Sequence, residues 1–262
     1  MEYTEADLVK LAKREKNKKR NYLLVNPMQG KHVPVSPTKA LRLFDDLADK
    51  IRKSYELEKL LLVGFAETAT AIGAELAVSL GVKYIQTTRE IIAGADYLFF
   101  SEEHSHATEQ KLVKEDMDRV MPEIERIIFV EDELTTGKTI LNIISILEKR
   151  YPKKIEFSVA SILNGMNEEN FQVYKDKNIE LFYLLKTDHS GYSEAADKLS
   201  ADGIYHEPVF ESRENIQGKD IRGAVNARRL VNGKDYAKSC EGLWNEYFVV
   251  FLYLSGYICS KI

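Results

Sequence analysis

One stretch constrains this chain more than any other: Ile127-Ile128-Phe129-Val130-Glu131-Asp132-Glu133-Leu134-Thr135-Thr136-Gly137-Lys138-Thr139. Its leading apolar run, bounded by charge, reads as a strand buried on both faces, as strands of a parallel sheet are. Ile140, Ile143, Ile144 and Leu147 then recur at helical spacing. A buried strand that feeds a helix through a short turn is the repeating unit of an α/β sheet, because parallel strands need a crossover to return. The turn is acidic first and hydroxyl-rich second, and that order decides its chemistry.

Backbone N–H groups at a helix start lack intrahelical partners, and the helix dipole adds partial positive charge there. With Thr135, Thr136, Lys138 and Thr139 beside them they suit a phosphate dianion, and Gly137 lets the backbone come close. Glu131 and Asp132 would repel a bare phosphate, so they must face something else: sugar hydroxyls, a magnesium ion, or both. Charge-assisted hydrogen bonds to ribose hydroxyls are worth about 1.5–3 kcal/mol each. Gly137-Lys138-Thr139 also matches the end of a Walker phosphate loop. That motif requires glycine where Asp132 stands, and a carboxylate is wrong for a phosphate cradle.

Apolar runs alternate with helical patterns along the rest of the chain, as in a sheet built from βαβ units. Strands are expected at 60–63, 84–87, 97–100, 127–130, 157–163 and 180–185, with a helix over 69–80 stopped by Gly81. A further short strand is expected at 22–25. Pro27, Gly30, Pro34 and Pro37 then force turns or extended chain, and Ser36 and Pro37 look like a helix cap and first helical residue. Beyond Ser190 the strand rhythm fades. Residues 221–262 read mainly as helix, with Tyr236, Cys240, Leu243, Tyr247, Phe251 and Leu254 near one stripe. This divides the chain into a basic N-terminal helix at 1–20, an α/β domain at 21–190 and a mainly helical C-terminal extension at 191–262.

Composition narrows the function classes. A content of 44% hydrophobic and 30% charged residues over 262 positions is that of a globular chain, not a disordered one. A net charge of −4 gives no global attraction to polyanions. The local run Lys13, Arg14, Lys16, Lys18, Lys19 and Arg20 has no stacking aromatics within it and reads as a solvated helix face. Cys240 and Cys259 have no second pair and no histidines at ligand spacing, and the chain opens on charged and polar residues, so a reducing cytoplasm fits best. The apolar stretch 247–259 is broken by Ser255 and Gly256 and falls short of the ~18–20 residues that span a bilayer. It is expected to pack on protein.

The segment 127–139 resembles the phosphoribosyl pyrophosphate loop of type I phosphoribosyltransferases: hydrophobic run, acidic pair, two intervening residues, then T-T-G-K-T. Glu131 replaces the first of the usual two aspartates. The resemblance implies the type I fold, an α/β domain with a mostly parallel central sheet flanked by helices and an N-terminal hood. It implies that Glu131 and Asp132 hold ribose and face Mg²⁺, through water, and that Thr135, Thr136, Gly137, Lys138 and Thr139 hold the 5′-phosphate. Ala66, Glu67 and Thr68, a loop tip after the strand at 60–63, would meet pyrophosphate through the backbone, joined by Arg89 and Lys31. The stretch from Phe99 to Ala107 falls where these enzymes carry a mobile loop, which makes His104 and His106, with Glu131 and Asp132, the catalytic candidates. Lys31 and His32 fall in the hood, the element that recognises the base, and suit an anionic acceptor or pyrophosphate.

The strings G-K-H-V-P, E-E-H-S-H-A and E-D-E-L-T-T-G-K-T, in this order, resemble an orotate phosphoribosyltransferase-like branch encoded with bacterial tellurite-resistance (Ter) stress systems. The Thr-Arg-Ser-Pro string of the domain often joined to that branch is absent here. The implied activity is transfer of the phosphoribosyl group to or from a nitrogen base or nucleotide-like metabolite, by a homodimer, with no nucleic acid and no membrane span. A non-catalytic regulator or scaffold that senses phosphoribosyl pyrophosphate or a nucleotide on the same fold is the alternative the residues leave open.

Overall fold

The computed structural model describes residues 2–14, 20–100, 110–200 and 225–259, with side chains as far as residue 246. In chain order the elements are α1 (Glu5–Leu8), β1 (Lys10–Lys13), β2 (Tyr22–Val25), α2 (Pro37–Arg52), β3 (Leu60–Gly64), α3 (Thr70–Leu80), β4 (Lys83–Gln86), β5 (Tyr97–Phe100), β6 (Gln110–Val113) and α4 (Lys114–Val120). They continue with β7 (Arg126–Leu134), α5 (Lys138–Arg150), β8 (Glu156–Asn164), α6 (Glu168–Asp176), β9 (Glu180–Lys186), α7 (Tyr192–Asp197), β10 (Val231–Asn232) and α8 (Gly233–Cys259).

The core is a six-stranded sheet in the order β10-β4-β3-β7-β8-β9. Strands β4, β3, β7, β8 and β9 run parallel, and β10 closes one edge antiparallel to β4. Alternate residues of the central strands feed two apolar layers. Leu60, Leu62, Ile128 and Val130 pack with α2 and α3, while Leu61, Val63, Ile127 and Phe129 pack with α4 and α5. Ile127, Ile128, Phe129 and Val130 are all 0% exposed, so this run shows no hydrophobic alternation. Burial of each such side chain is worth about 1.5–3 kcal/mol. The parallel arrangement brings the ends of β3, β4, β7, β8 and β9, and the helix starts that follow them, to one end of the sheet.

Most expected elements are present within a residue or two. Gly81 ends α3 in the left-handed conformation, φ 69°. Pro37 opens α2, although the Ser36 side chain makes no capping hydrogen bond.

Three expectations differ. The basic N-terminal helix is absent from the described residues: only Glu5–Leu8 is helical, and Lys10–Lys13 is a strand paired antiparallel with β2. Leu11 and Ala12 are half-buried between exposed Lys10 and Lys13, so this stretch uses its apolar pair for packing. The strand at 97–100 is real but stands outside the main sheet, paired antiparallel with β6. Its Phe99 is 53% exposed, so this strand does not have the two buried faces of a central parallel strand. Finally, of the C-terminal helical stripe Tyr236 packs against the core, whereas Leu243 is 54% exposed, and the side chains of Tyr247, Phe251 and Leu254 lie outside the described residues. No helix among the described residues is long and apolar enough to cross a membrane.

Candidate functional site

Strand β7 does not stop at Val130. It runs on to pair Glu131 with Ser161, Glu133 with Leu163 and Leu134 with Asn164 of β8. Ile128 and Val130 face the α2 and α3 layer, yet Leu134 lies in the α4 and α5 layer. Strict alternation would put all three on one face, so the pleat shifts between Val130 and Leu134. The shift turns two consecutive carboxylates toward the segment around β2. Asp132 accepts from Lys31 Nζ at 2.7 Å and from Thr68 Oγ1 at 2.8 Å, and Glu133 accepts from Arg20 Nη2 at 2.7 Å.

Thr135, Thr136 and Gly137 then turn the chain into α5. Gly137 occupies the left-handed region, φ 68°, and its carbonyl accepts from Tyr174 Oη at 2.6 Å. A side chain at this position would collide with the Tyr174 hydroxyl, so both conformation and space require glycine. Thr135, Thr136 and Thr139 are half-buried and Lys138 is exposed at the helix start. The expected hydroxyls and helix start therefore sit at the end of β7, directly after the carboxylates, with the Lys138 N–H donating to Thr136 Oγ1 at 3.4 Å.

Across from it lies the loop between β3 and α3. The Phe65 N–H donates to the Val130 carbonyl at 3.1 Å, tying this loop to β7. The Ala66 N–H donates to Thr87 Oγ1 at 2.7 Å, and Gln110 Nε2 donates to the Ala66 carbonyl at 2.8 Å. Thr87 also donates to Gln110, so residues from the ends of β4 and β6 clamp Ala66 from both sides. The Ala66–Glu67 peptide is cis. Glu67 is exposed, and the Thr68 carbonyl accepts from Gln29 Nε2 at 3.0 Å. Arg89 is half-buried just beyond β4, and its neighbour Glu90 pairs with Arg228. His32 is exposed beside Lys31, and partial burial and the Lys31 charge both hold its pKa below the usual histidine range. His104 and His106 lie outside the described residues.

The structure thus brings Lys31, Thr68 and Asp132 into one hydrogen-bonded group and sets Ala66 and Glu67 on the adjoining loop. Sequence reasoning missed five contributors. Thr87 and Gln110 were invisible because they act through a backbone clamp formed by distant strands. Arg20 and Glu133 form an ion pair that a third acid directly after the acidic pair hints at. His189 joins them, with Nδ1 3.9 Å from Glu133 Oε1 and Nε2 2.9 Å from Thr187 Oγ1. Burial, with the Arg20 and Lys186 charges, pushes its pKa down to about 4, so the ring is neutral at neutral pH. Burial raises the Glu133 carboxyl above its ordinary range even against Arg20.

Comparison with known proteins bears on the fold and the family. A family model described as phosphoribosyl transferase matches residues 8–187. A search of curated proteins finds no match. Among solved structures the chain is similar to adenine phosphoribosyltransferase from Trypanosoma brucei, determined with AMP, pyrophosphate and ribose-5-phosphate. That likeness has a TM-score of 0.52 at 17% identity over 78% of this chain and 86% of that one. The Leishmania donovani enzyme gives 0.52 at 16% identity over 79% and 87%, and that of Thermoanaerobacter pseudethanolicus gives 0.50 at 17% over 69% and 96%. At such identity the likeness is one of fold. With well over half of its length matched by the family and the type I architecture in place, the chain belongs to the phosphoribosyl transferase family.

Proposed function

We propose that this phosphoribosyltransferase binds phosphoribosyl pyrophosphate across the ends of β3 and β7 and transfers its phosphoribosyl group to, or from, a nitrogen base or nucleotide-like metabolite. The observation that carries the reading is the succession at the end of β7, where Asp132 stands directly before a hydroxyl-rich helix start and opposite the clamped Ala66 loop. Glu131 and Asp132 hold the ribose hydroxyls, and Thr135 to Thr139 receive the 5′-phosphate. The Ala66 to Thr68 backbone, with Lys31 and Arg89, meets pyrophosphate. The acceptor nitrogen bonds to the anomeric carbon as the bond from that carbon to pyrophosphate oxygen breaks, and pyrophosphate leaves with the bonding pair. Positioning and electrostatics supply the rate, without a protein nucleophile.

Among the described residues no group of three or more acidic, histidine or cysteine side chains is arranged to cage a metal ion. The adjacent carboxylates Glu131 and Asp132 nevertheless suit Mg²⁺, which keeps several waters and is usually held by one or two carboxylates together with substrate phosphates. Glu131 and Asp132 would face it through water. When bound, it would neutralise charge on the departing pyrophosphate.

The orotate-type branch, the stress-operon association, the homodimer and the cytoplasmic setting rest on the sequence strings and composition alone. Incubation with phosphoribosyl pyrophosphate, Mg²⁺ and a panel of bases should release pyrophosphate. Binding of phosphoribosyl pyrophosphate with no turnover of any base would favour the sensor reading, and no binding at all would overturn both.

A further inference from the structure

The two edges of the central sheet are finished differently. At one edge β10, two residues long, lies antiparallel to β4. At the other stands β9, and no strand among the described residues pairs with its outer side. An open edge is a template for another strand, and proteins usually blunt it with a short strand, proline, a bulge or inward charge. β9 has none of these. It is seven residues long, keeps one register with β8 from Glu180 to Lys186, and carries charge only at its two ends. Leu181, Tyr183, Leu184 and Leu185 are only half-buried, and an open cleft of ≈ 480 Å³ runs beside Leu181, Phe182 and Tyr183.

The backbone phase of this edge is fixed by β8. The Thr187 N–H donates to the Asn164 carbonyl at 2.9 Å. Alternate residues of a parallel strand turn to the same neighbour, so Leu181, Tyr183 and Leu185 bond β8, while the N–H and C=O groups of Glu180, Phe182, Leu184 and Lys186 face outward. The side chains have a matching symmetry. About Tyr183, the strand Glu-Leu-Phe-Tyr-Leu-Leu-Lys complements its own reverse: Glu180 falls opposite Lys186, Leu181 opposite Leu185 and Phe182 opposite Leu184. In that register the outward groups of Phe182 meet those of Leu184, and those of Glu180 meet those of Lys186, which are the hydrogen-bonded pairs of an antiparallel ladder. Glu180 accepts from the Tyr55 hydroxyl and Lys186 donates to the Met166 carbonyl, but neither has an ion-pair partner among the described residues. We propose that β9 is the docking surface for a second copy of this chain, whose own β9 pairs antiparallel about a two-fold axis at Tyr183 and joins the two sheets. A two-fold contact needs one patch that complements itself. Backbone phase, apolar centre and end charges all meet that requirement in one register.

The test uses the full chain. Sedimentation velocity over a concentration series should show a monomer–dimer equilibrium. Tyr183→Lys, which sets two ammonium groups against each other at the axis, should weaken the dimer by about ten-fold or more. Glu180→Lys and Lys186→Glu each put like charges into two cross-strand pairs and should each weaken it about ten-fold. The E180K/K186E double variant restores opposite charges across the axis and should return to within about three-fold of the wild type. Damage to the fold of β9 would not be rescued in this way, so the charge exchange carries the test should Y183K fail to fold. In a C240S/C259S background, Tyr183→Cys should oxidise to a disulfide-linked dimer, since facing residues at such a position have Cα atoms about 4.5 Å apart, within disulfide reach. Leu181→Cys, which faces Leu185 of the other copy, should not. A monomer at every concentration, as expected if the edge takes a strand of some other protein, overturns the proposal. So does a dimer that the charge variants leave unchanged, or failure of Y183C to cross-link.

Discussion

The two ends of the central sheet are both rich in charge and built for different ends. At the start of the parallel strands, Tyr55, Glu56, Glu58, Lys59, Glu125, Arg126, Lys154 and Glu156 line a cleft of ≈ 410 Å³. Lys59 pairs there with Glu125 and Arg126 with Glu156, and the Arg126 guanidinium lies 3.9 Å from the centre of the Tyr55 ring. These cations and carboxylates satisfy one another in partly exposed pairs. At the far end, Asp132 and Glu133 lie beside helix starts, threonine hydroxyls and a glycine that lets the backbone approach a ligand. Parallel strands place their following helix N-termini at this end alone, so partial positive charge from backbone accumulates here. Charge density alone therefore does not mark a site. Charge next to helix N-termini does.

The contrast is broken most forcefully by exchanging charge for amide at each end. Glu131→Gln with Asp132→Asn should reduce phosphoribosyl pyrophosphate affinity about 10²- to 10⁴-fold, the weight of two charge-assisted hydrogen bonds, read by calorimetric titration. A next test asks whether burial gives an ion pair its weight. Asp116, with its side chain 2% exposed, receives Arg229 Nε at 2.7 Å and the Leu230 N–H at 2.9 Å, anchoring the chain before β10 to α4. Arg229→Met should cost about 3 kcal/mol in denaturant unfolding, the low end for a broken buried pair because Arg229 is itself 36% exposed.

The same pair has an acid signature. Burial opposes ionisation of Asp116, but the hydrogen bonds from Arg229 and Leu230 and the nearby arginine charges hold its carboxyl below the ordinary range. Its contribution is therefore complete above the unfolded value near 3.9 and is lost as pH falls through the lower folded value. The acid limb of the stability profile below about pH 4 should flatten in the variant.

Gly137→Ala is expected to lose about 1–2 kcal/mol of stability from the left-handed backbone alone, with a further loss of phosphoribosyl pyrophosphate affinity as Tyr174 is displaced. Confined to acid is the effect of His189. Its folded pKa of about 4 lies below the ordinary 6.5, so the unfolded chain binds the extra proton between those values. This term makes stability rise with pH across that window, by at most about 1.4 kcal/mol per pH unit, and His189→Asn should remove the slope. Smallest of all, Glu125→Gln with Glu156→Gln at the opposite end should shift stability by under about 1 kcal/mol and leave phosphoribosyl pyrophosphate affinity unchanged.

Local patterning carried the main-sheet strands β3, β4, β7, β8 and β9 and the helices α3 and α5, because parallel strands are near-continuous apolar runs and their helices keep a 3.6-residue period, but it did not give β6, α4 or α6. The motif at 127–139 was legible for the same reason: its order of carboxylate, hydroxyl and glycine is written in consecutive residues. What sequence left unread depends on long-range pairing. The β1 strand forms only because β2 lies beside it, and β5 leaves the main sheet because β6 supplies its partner. The pleat shift before Leu134, which turns Asp132 and Glu133 together, has no local signature. The Thr87 and Gln110 clamp joins three separate strands at one peptide, and Arg20 reaches Glu133 across 113 positions.

The central claim is that the end of β7, and not the charged cleft at its beginning, is where phosphoribosyl pyrophosphate binds. Titration of phosphoribosyl pyrophosphate and Mg²⁺ into ¹⁵N-labelled protein, followed by amide NMR, tests this directly. The amides of Thr135 to Thr139 and of Ala66 to Thr68 should shift on binding, with those of Glu56, Lys59 and Glu125 unmoved. Shifts confined to Glu56, Lys59 and Glu125, or none in Thr135 to Thr139 at saturation, would contradict the account.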